Sequence, residues 1–337
     1  MTKFEINRRN MLIGMGGAMT LGAMRPAFAQ ESYPSSRFNV IVPTGQGGNA
    51  DMMVRAFANS WSPMLNDQQF EFEYHPAASG QVGYELFMHQ RPHDGYNMLF
   101  GNMGPEMIMY VTQNPKYRFP EDYTYFCGVD VDDCGIFTRR DSRFQTLEDV
   151  IAEARKAPVN ISMTRMAHPG ALGLLALAEA TGAQFNLIPY GGGNPAVTAV
   201  INGEVELGGG GISGVPNEAN GALRVLTVFN RTTNQLAHMN ENAPLVNKVL
   251  GTDLPDFYTT RSFAMHNDWI AANPEHFELL KATAAKVFAE KRFEEDIRKT
   301  TQPWDAMRHL DQEGCMAYAK NIAAVAERYK DKITAGK

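Results

Sequence analysis

Residues 38–58 read FNVIVPTGQGGNADMMVRAFA and contain the elements that decide the fold. The apolar run at 38–42 predicts a strand that is buried on both faces of a sheet. Apolar side chains spaced by three and four over residues 54–65 predict a helix, with Asn49 as N-cap and Asp51 in its first turn. This order of elements predicts a βαβ unit, whose ligand sites lie at the carboxyl ends of the strands.

The loop between this strand and this helix is rich in glycine. It lacks the Gly-Lys-Ser/Thr ending of a nucleotide triphosphate site and the G-x-G-x-x-G spacing of a dinucleotide site. A glycine turn exposes backbone N–H groups, and a helix N-terminus carries about half a positive charge. The loop can therefore bind an anion without a cationic side chain, and a plain tight turn is the alternative interpretation.

The rest of the chain alternates in the same way, which predicts an α/β fold with two lobes. Strands are predicted at residues 70–74, 97–101, 159–163, 185–190 and 223–230, with a short one after Gly203. Helices are predicted from Thr146 to Pro158, from 170 to Gly182, from the cap Asn194 to Gly203, and along the C-terminal third.

The N-terminus has the pattern of an export sequence. Arg8 and Arg9 precede an uncharged run, and Ala27 and Ala29 offer a cleavage site before Gln30. Residues 1–29 are therefore predicted to be a secretory signal peptide, which places the mature protein in the periplasm. The paired arginines favour the twin-arginine route, although the residues around them match that pattern imperfectly. The uncharged run is shorter than the about 20 residues of a membrane span.

Charge and length limit the function classes. The whole chain has a formal charge of −6, and removal of residues 1–29, with a net charge of +3, leaves 308 residues at −9. This length suffices for two domains with buried cores. The acidic balance speaks against nucleic acid and against an anionic membrane surface as partners.

Cysteines and acidic residues suggest no metal or cofactor. The chain has three cysteines, so at least one thiol is unpaired, and a Cys127–Cys134 disulfide would need a hairpin between the two residues. Asp130, Asp132 and Asp133 are predicted to form a solvated loop, because no calcium-loop spacing follows them.

Three long motifs resemble one protein family. Residues 40–58 resemble the opening of the Bug family, the periplasmic substrate-binding proteins of tripartite tricarboxylate transporters. Gly47, Gly48, Asp51 and Arg55 match that pattern, while Gln46 stands where proline is usual. Residues 75–102 and 188–207 resemble the second and third family motifs, in the same order and spacing.

The resemblance implies a Venus-flytrap protein of the type II periplasmic binding class, in which each lobe is a mixed sheet flanked by helices. It implies a first lobe formed by residues 30–130 and 229–337, the latter including the C-terminal helices, and a second lobe formed by residues 131–228. It also implies a monomer, without a cofactor, that captures a small carboxylate and delivers it unchanged to membrane permease subunits.

The resemblance also implies where the carboxylate is held. In the family, two turns of the first lobe grip it through main-chain donors, and closure of the lobes removes competing water. The corresponding first-lobe residues are Thr44, Gly45, Gln46, Gly47, Gly48, Asn49, Asp51, Ala78, Ser79, Gly80 and Gln81.

The second lobe departs from the family pattern. The stretch SMTRMAHPGALG replaces a Ser/Gly-rich loop, and GGGG at 208–211 replaces residues with side chains. Ligand contacts are predicted at Thr164, Arg165, His168, Gly170, Gly210 and Gly211. The planar fork of Arg165 suits a second carboxylate, which favours a di- or polycarboxylate or an aromatic acid as ligand. The alternative is that Arg165 is a surface charge and His168 a helix-entry residue.

A secreted hydrolase and a sensory binding protein are the two alternative function classes. A secreted hydrolase is disfavoured, because GISGV around Ser213 misses the G-x-S-x-G spacing by one residue and no Ser, His and Asp set is recognisable. A binding protein that passes its ligand signal to a receptor kinase remains open, because it would use the same closing lobes. The prediction is a binding protein and not an enzyme.

Overall fold

A computed structural model describes residues 33–215, 221–230 and 232–335. The predicted signal peptide, residues 1–29, lies outside these ranges. Residues 36–337 belong to one compact unit, which contains both α/β lobes. No helix in the described ranges combines the length and the apolar character that crossing a membrane requires.

The strands form two mixed sheets. The first sheet contains β1 (Phe38–Val42), β2 (Phe70–Tyr74), β3 (Asn97–Asn102), β4 (Tyr123–Asp130), β11 (Arg261–His266) and β12 (Met307–Leu310), in the order β12-β4-β11-β3-β1-β2. The second contains β5 (Asp132–Arg139), β6 (Val159–Met163), β7 (Phe185–Pro189), β8 (Leu207–Gly211), β9 (Leu223–Val228) and β10 (Tyr258–Thr259), in the order β10-β5-β8-β6-β7 with β9 also on β5. The predicted α/β fold with two mixed sheets is confirmed.

Helices flank both sheets. In the first lobe they are α1 (Asn49–Trp61), α2 (Gln81–Gln90), α3 (Met103–Gln113), α8 (Asn267–Ala272), α9 (Pro274–Val287), α10 (Lys291–Arg298), α11 (Gln312–Arg328) and α12 (Lys330–Ala335). The others are α4 (Leu147–Ala154), α5 (Pro169–Thr181), α6 (Gly193–Ile201) and α7 (Val246–Leu250).

The first lobe is held together by an aromatic cluster on α1. Phe57 and Trp61 are fully buried, with ring centroids 5.5 Å apart in an edge-to-face arrangement, and both contact Phe263 of β11 at 5.1 Å. Each buried aromatic side chain contributes about 1.5 to 3 kcal/mol through its removal from water. The indole N–H of Trp61 also donates to the Thr283 hydroxyl at 2.8 Å, which fixes α9 against α1. This packing sets the position of the loop that precedes α1.

The chain passes between the two sheets at two adjacent places. Only Val131 separates β4 from β5, and only Thr260 separates β10 from β11. The two crossings are joined because the Arg261 backbone N–H donates to Asp130 Oδ1 at 2.8 Å and its guanidinium pairs with the same carboxylate. Residues 229–257 lie between two strands of the second sheet, and the sequence limits of the lobes stay a prediction.

Several local predictions were wrong. The N-cap of α1 is Gly48 and not Asn49, and the N-cap of α6 is Gly192 and not Asn194, because the glycine turns themselves adopt the extended cap geometry. In contrast, Thr146 caps α4 with a complete capping box, and Gly182 ends α5 in the left-handed conformation.

The acidic cluster is not a solvated loop. Asp130 and Asp133 are buried on the crossing strands β4 and β5, where Asp133 accepts hydrogen bonds from Asn230 and Gln235. The sequence misled because their partners lie about 100 residues further along the chain. Cys127 and Cys134 are buried and unpaired, since β4 and β5 enter different sheets and form no hairpin.

Candidate functional site

The candidate site begins at one edge of the first sheet. Strands β2, β1 and β3 are adjacent and parallel, so their carboxyl ends lie at the same edge. Each strand is followed by a helix that starts there, which brings together the N-termini of α1, α2 and α3. Because each N-terminus has unpaired N–H groups and positive polarity, this edge favours an anion.

The first predicted turn lies at this edge. Residues 45–49 are exposed, and the space beside the α-carbons of Gly45 and Gly47 is open. Gly47 has a φ of +79°, a conformation that favours glycine. The turn therefore presents backbone groups to its surroundings without side chains in the way.

Asp51 stabilises this turn through hydrogen bonds. Its carboxylate accepts hydrogen bonds from the Gly47 N–H at 2.7 Å, from Arg55 Nε at 2.5 Å and from the Tyr74 hydroxyl. Burial raises the pKa of Asp51, but these hydrogen bonds outweigh burial and hold the pKa below its usual value. Asp51 is thus an ionised support of the turn, and its direct contact with a ligand stays a prediction.

The second predicted turn, residues 78–81, spans the end of the 3-10 helix Ala77–Gly80 and the first residue of α2. Ala78 and Ser79 have positive φ angles of 52° and 58°, and Gly80 has a φ of +97°. Left-handed backbone costs a non-glycine residue roughly 1 to 2 kcal/mol, and such strain is concentrated at functional sites. A Cβ atom at Gly80 would lie 2.9 Å from the carbonyl oxygen of Pro43, the residue that precedes the first turn.

The second sheet contributes a matching edge. Strands β8, β6 and β7 are adjacent and parallel, and α5 and α6 begin at the carboxyl ends of β6 and β7. A Cβ atom at Gly210 would lie 3.8 Å from His168 Cε1 and 4.0 Å from Thr164 Oγ1. Thr164, His168 and Gly210 therefore lie together, whereas Gly211 packs against Asp132.

The two edges face each other across the N-termini of α3 and α5. A Cβ atom at Gly104, in the first turn of α3, would lie 2.6 Å from Cγ of Pro169, the first residue of α5. This contact brings the edges of the two sheets together at the N-termini of α3 and α5. Direct ligand contact of each of the predicted residues stays a prediction.

Arg165 enters this region from the second lobe. It is partly exposed, and among the described residues its guanidinium has neither a hydrogen bond nor an ion pair. Burial lowers the pKa of Arg165, and the nearby Glu106 carboxyl and Tyr84 hydroxyl oppose that change. An arginine with five donors and no protein partner is suited to bind a carboxylate.

His168 has a structural role that the sequence already offered as an alternative. Its Nδ1 accepts a hydrogen bond from the Gly170 N–H at 3.0 Å, so it caps α5. Burial, together with Arg165 and Arg261, lowers the pKa of His168 to about 3. The ring is therefore neutral, and its Nε2–H is the donor left for a ligand. The Gly170 N–H is engaged by this cap.

Glu106 was missed by the sequence analysis. It lies in the first turn of α3 and is fully buried, and within the described part of the chain no donor meets hydrogen-bond geometry with either carboxylate oxygen. A Cβ atom at Gly80 would lie 3.6 Å from Glu106 Oε1, which places the carboxyl beside the second turn. The available signal was a lone acidic residue in the apolar stretch MGPEMIMY directly after a strand.

Burial dominates the chemistry of Glu106. It raises the pKa of the carboxyl to about 8, although Arg165, the nearby Asn102 and Glu106 amides, and Arg261 each lower it. Further unpaired buried atoms at the same edge are Thr44 Oγ1, Asn102 Oδ1 and Thr260 Oγ1. Native interiors seldom leave such groups unpaired, so their concentration here indicates a place for a polar ligand.

A groove elsewhere on the first lobe is a weaker candidate. It is lined by residues of β4, α9, β12 and α11, including Phe126, Lys281 and His309. Lys281 already pairs with Glu278 at 2.7 Å and donates to Gln312 at 3.0 Å, so its charge is neutralised. Within the described residues, no group of three His, Cys, Asp or Glu side chains could hold a metal ion.

Comparison of sequences identifies relatives. A family model described as "Tripartite tricarboxylate transporter family receptor" matches residues 53–247. A protein of Agrobacterium vitis, described as "UPF0065 protein in the TAR-I ttuE-ttuC' intergenic region", is 32% identical over 184 residues. That match covers 54% of this chain, and the chain spans about half (52%) of the length of this curated relative.

Solved structures share the fold. A TctC solute-binding protein from Polaromonas has a TM-score of 0.74 and 22% identity, over 89% of this chain and 99% of that one. A structure titled "R. palustris Rpa4515 with adipate" has a TM-score of 0.69 and 18% identity, over 89% and 97%. These similarities confirm the predicted two-lobed fold of periplasmic binding proteins.

Proposed function

Because the chain belongs to the tripartite tricarboxylate transporter receptor family, we propose that it is a periplasmic solute-binding protein for a small organic carboxylate. The match over residues 53–247 confirms the resemblance that the three motifs indicated. The proposal assigns the protein no reaction: the ligand is captured, released to a membrane permease and left chemically unchanged.

The observation that carries the proposal is the arrangement around Arg165. The Arg165 guanidinium of the second lobe, which has no hydrogen bond or ion pair among the described residues, lies near Glu106 and the second turn, at the edge where α1, α2 and α3 begin. Backbone donors at helix starts suit one carboxylate, and the arginine fork suits another. A ligand that carries both would link the lobes and stabilise their closed arrangement.

This arrangement supports a dicarboxylate as the ligand class. The two features follow strands of different sheets, so a ligand with a carboxylate at each end would engage both lobes at once. The related protein from R. palustris was solved with adipate, a dicarboxylate, which is consistent with the proposal. The glycines at Gly210 and on the first turn leave room for an aliphatic chain or an aromatic ring between the two carboxylates.

The test is a binding screen with purified protein. Thermal shift and then isothermal titration calorimetry would compare straight-chain dicarboxylates from malonate to pimelate, phthalate and terephthalate with the monocarboxylates of matched size. We expect a dicarboxylate to raise the melting temperature and bind most tightly, and to be recovered unchanged by mass spectrometry. Binding of monocarboxylates alone would contradict the dicarboxylate class, and conversion of the acid would contradict the assignment as a binding protein.

A further inference from the structure

Glu106 lies where a negative charge would oppose the proposed function. It is beside the second turn, residues 78–81, which would hold a carboxylate, and it interacts electrostatically with Arg165 of the other lobe. An ionised carboxylate here would repel an anionic ligand and would lack the hydrogen bonds that a buried charge requires. A buried acid in an anion site is therefore either neutral, or its charge has a role that offsets this repulsion.

The geometry favours the neutral form. Among the described residues, no cation lies within ion-pair distance of Glu106, and the Asn102 and Glu106 backbone N–H groups that approach its oxygens do not reach hydrogen-bond geometry. The neutral acid has one O–H donor, whereas the carboxylate has only acceptors. A ligand carboxylate offers acceptors and no donors, so only the neutral form of Glu106 can form a hydrogen bond with it.

The surroundings of Glu106 keep their charge between pH 7 and 9. The titratable and charged groups that face it from the packed elements are Tyr84, Tyr117, Tyr123, Tyr125, Arg165, Arg261 and Tyr318. Burial raises the pKa of each of these tyrosines above its usual value, so they stay neutral. The arginines stay charged over this range.

We propose that Glu106 is a ligand-contacting residue which, as a neutral carboxylic acid, donates its proton in a hydrogen bond to a carboxylate oxygen of the bound acid. The proton remains on Glu106, and no covalent bond forms or breaks in the ligand. The inference rests on the proposed function, because it requires a carboxylate in this site. It makes Glu106 a determinant of specificity, since the O–H of the neutral acid requires an acceptor on the ligand.

The proposal links binding to protonation. Glu106 of the unliganded protein loses its proton as the pH rises through about 8, and it must regain that proton to bind the acid. Affinity should therefore be nearly constant from pH 6 to 7 and should fall roughly tenfold from pH 7 to 9. Above pH 8, each bound acid should bring a large fraction of one proton with it.

The experiment measures affinity against pH in wild type and in Glu106→Gln. Calorimetry with the tightest-binding acid of the malonate-to-pimelate, phthalate and terephthalate panel would be run at pH 6, 7 and 9. Glutamine keeps a donor but cannot ionise, so we expect E106Q to bind within about threefold of wild type at pH 7 and to show no loss at pH 9. The exposed acid Glu148 provides the matched control, because E148Q should retain the wild-type pH dependence.

Two results would overturn the inference while leaving the proposed function intact. One is a wild-type affinity that is constant or rises from pH 7 to 9. The other is a loss of more than tenfold in E106Q at pH 7, which would show that an ionised Glu106 is required. If E106Q does not fold, calorimetry of wild type at pH 8.5 in buffers of different ionisation enthalpy measures the protons taken up on binding. Absence of proton uptake would overturn the inference. Absence of binding by every acid at every pH would overturn the proposed function itself.

Discussion

Replacement of Arg165 by alanine tests how the second lobe contributes to binding. Because the guanidinium has no protein partner among the described residues, its removal breaks no hydrogen bond and should leave the stability of the unliganded protein nearly unchanged. A ligand carboxylate would lose its charge-assisted hydrogen bonds. A fully buried pair is worth about 2 to 5 kcal/mol on truncation, and the partial exposure of Arg165 reduces this through solvent screening.

We therefore expect R165A to weaken dicarboxylate binding by about 2 to 3 kcal/mol, or about 30- to 150-fold in Kd, with less than threefold change for a monocarboxylate. Isothermal titration calorimetry at constant ionic strength measures both. Arg143→Ala is the matched control, because it removes the same charge from an exposed site that pairs with Glu206. Equal losses for mono- and dicarboxylates in R165A would refute the role of Arg165 in reading a second carboxylate.

Three further predictions follow from the site and its supports. Gly80→Ala should lower the free energy of unfolding by about 1 to 3 kcal/mol and weaken binding, since its Cβ would meet the Pro43 carbonyl at a φ of +97°. Gly45→Ala is the control, because its Cβ would enter open space and should change the free energy of unfolding little. Urea titrations measure both variants, and an equal loss of stability in the two would contradict the prediction. The folded state keeps the Glu106 proton up to about pH 8, whereas the unfolded chain releases it near pH 4.5. The free energy of unfolding of wild type should therefore decrease as the pH rises from about 4.5 to about 8. In urea titrations at pH 5 and 8, the free energy of unfolding of E106Q should decrease less between the two pH values than that of wild type. An equal decrease in both proteins would contradict a raised pKa of Glu106. All three cysteines are buried and free, so a thiol reagent should react only after unfolding and then with three thiols; two fewer would reveal a disulfide.

Much of the fold could be predicted from short-range patterns. The strands Phe38–Val42, Phe70–Tyr74 and Val159–Met163 lie where apolar or alternating runs predicted them, because proline, glycine or charge bounds each run. Prediction failed at the start of α1, where either Gly48 or Asn49 could serve as N-cap. The cap is Gly48, because its backbone is extended and Asn49 is already helical.

The site could be predicted only in part. The two turns follow from motifs that are local in sequence, whereas the environment of Glu106 depends on Gly80, Arg165 and Arg261, which are brought to it by different strands and by different lobes. Whether an acidic residue on an apolar helix is buried, and whether a cation reaches it, are consequences of tertiary packing that no single segment encodes. The same limit applied to Asp133 and its distant partners.

A crystal structure of the protein with its tightest-binding dicarboxylate would locate both carboxylates of the ligand. We expect one carboxylate within hydrogen-bond distance of backbone N–H groups in residues 44–49 and 78–81, and the other within about 2.7 to 2.9 Å of the Arg165 guanidinium. A dicarboxylate bound in the groove beside α9 and α11, with both turns facing bulk solvent, would contradict this expectation.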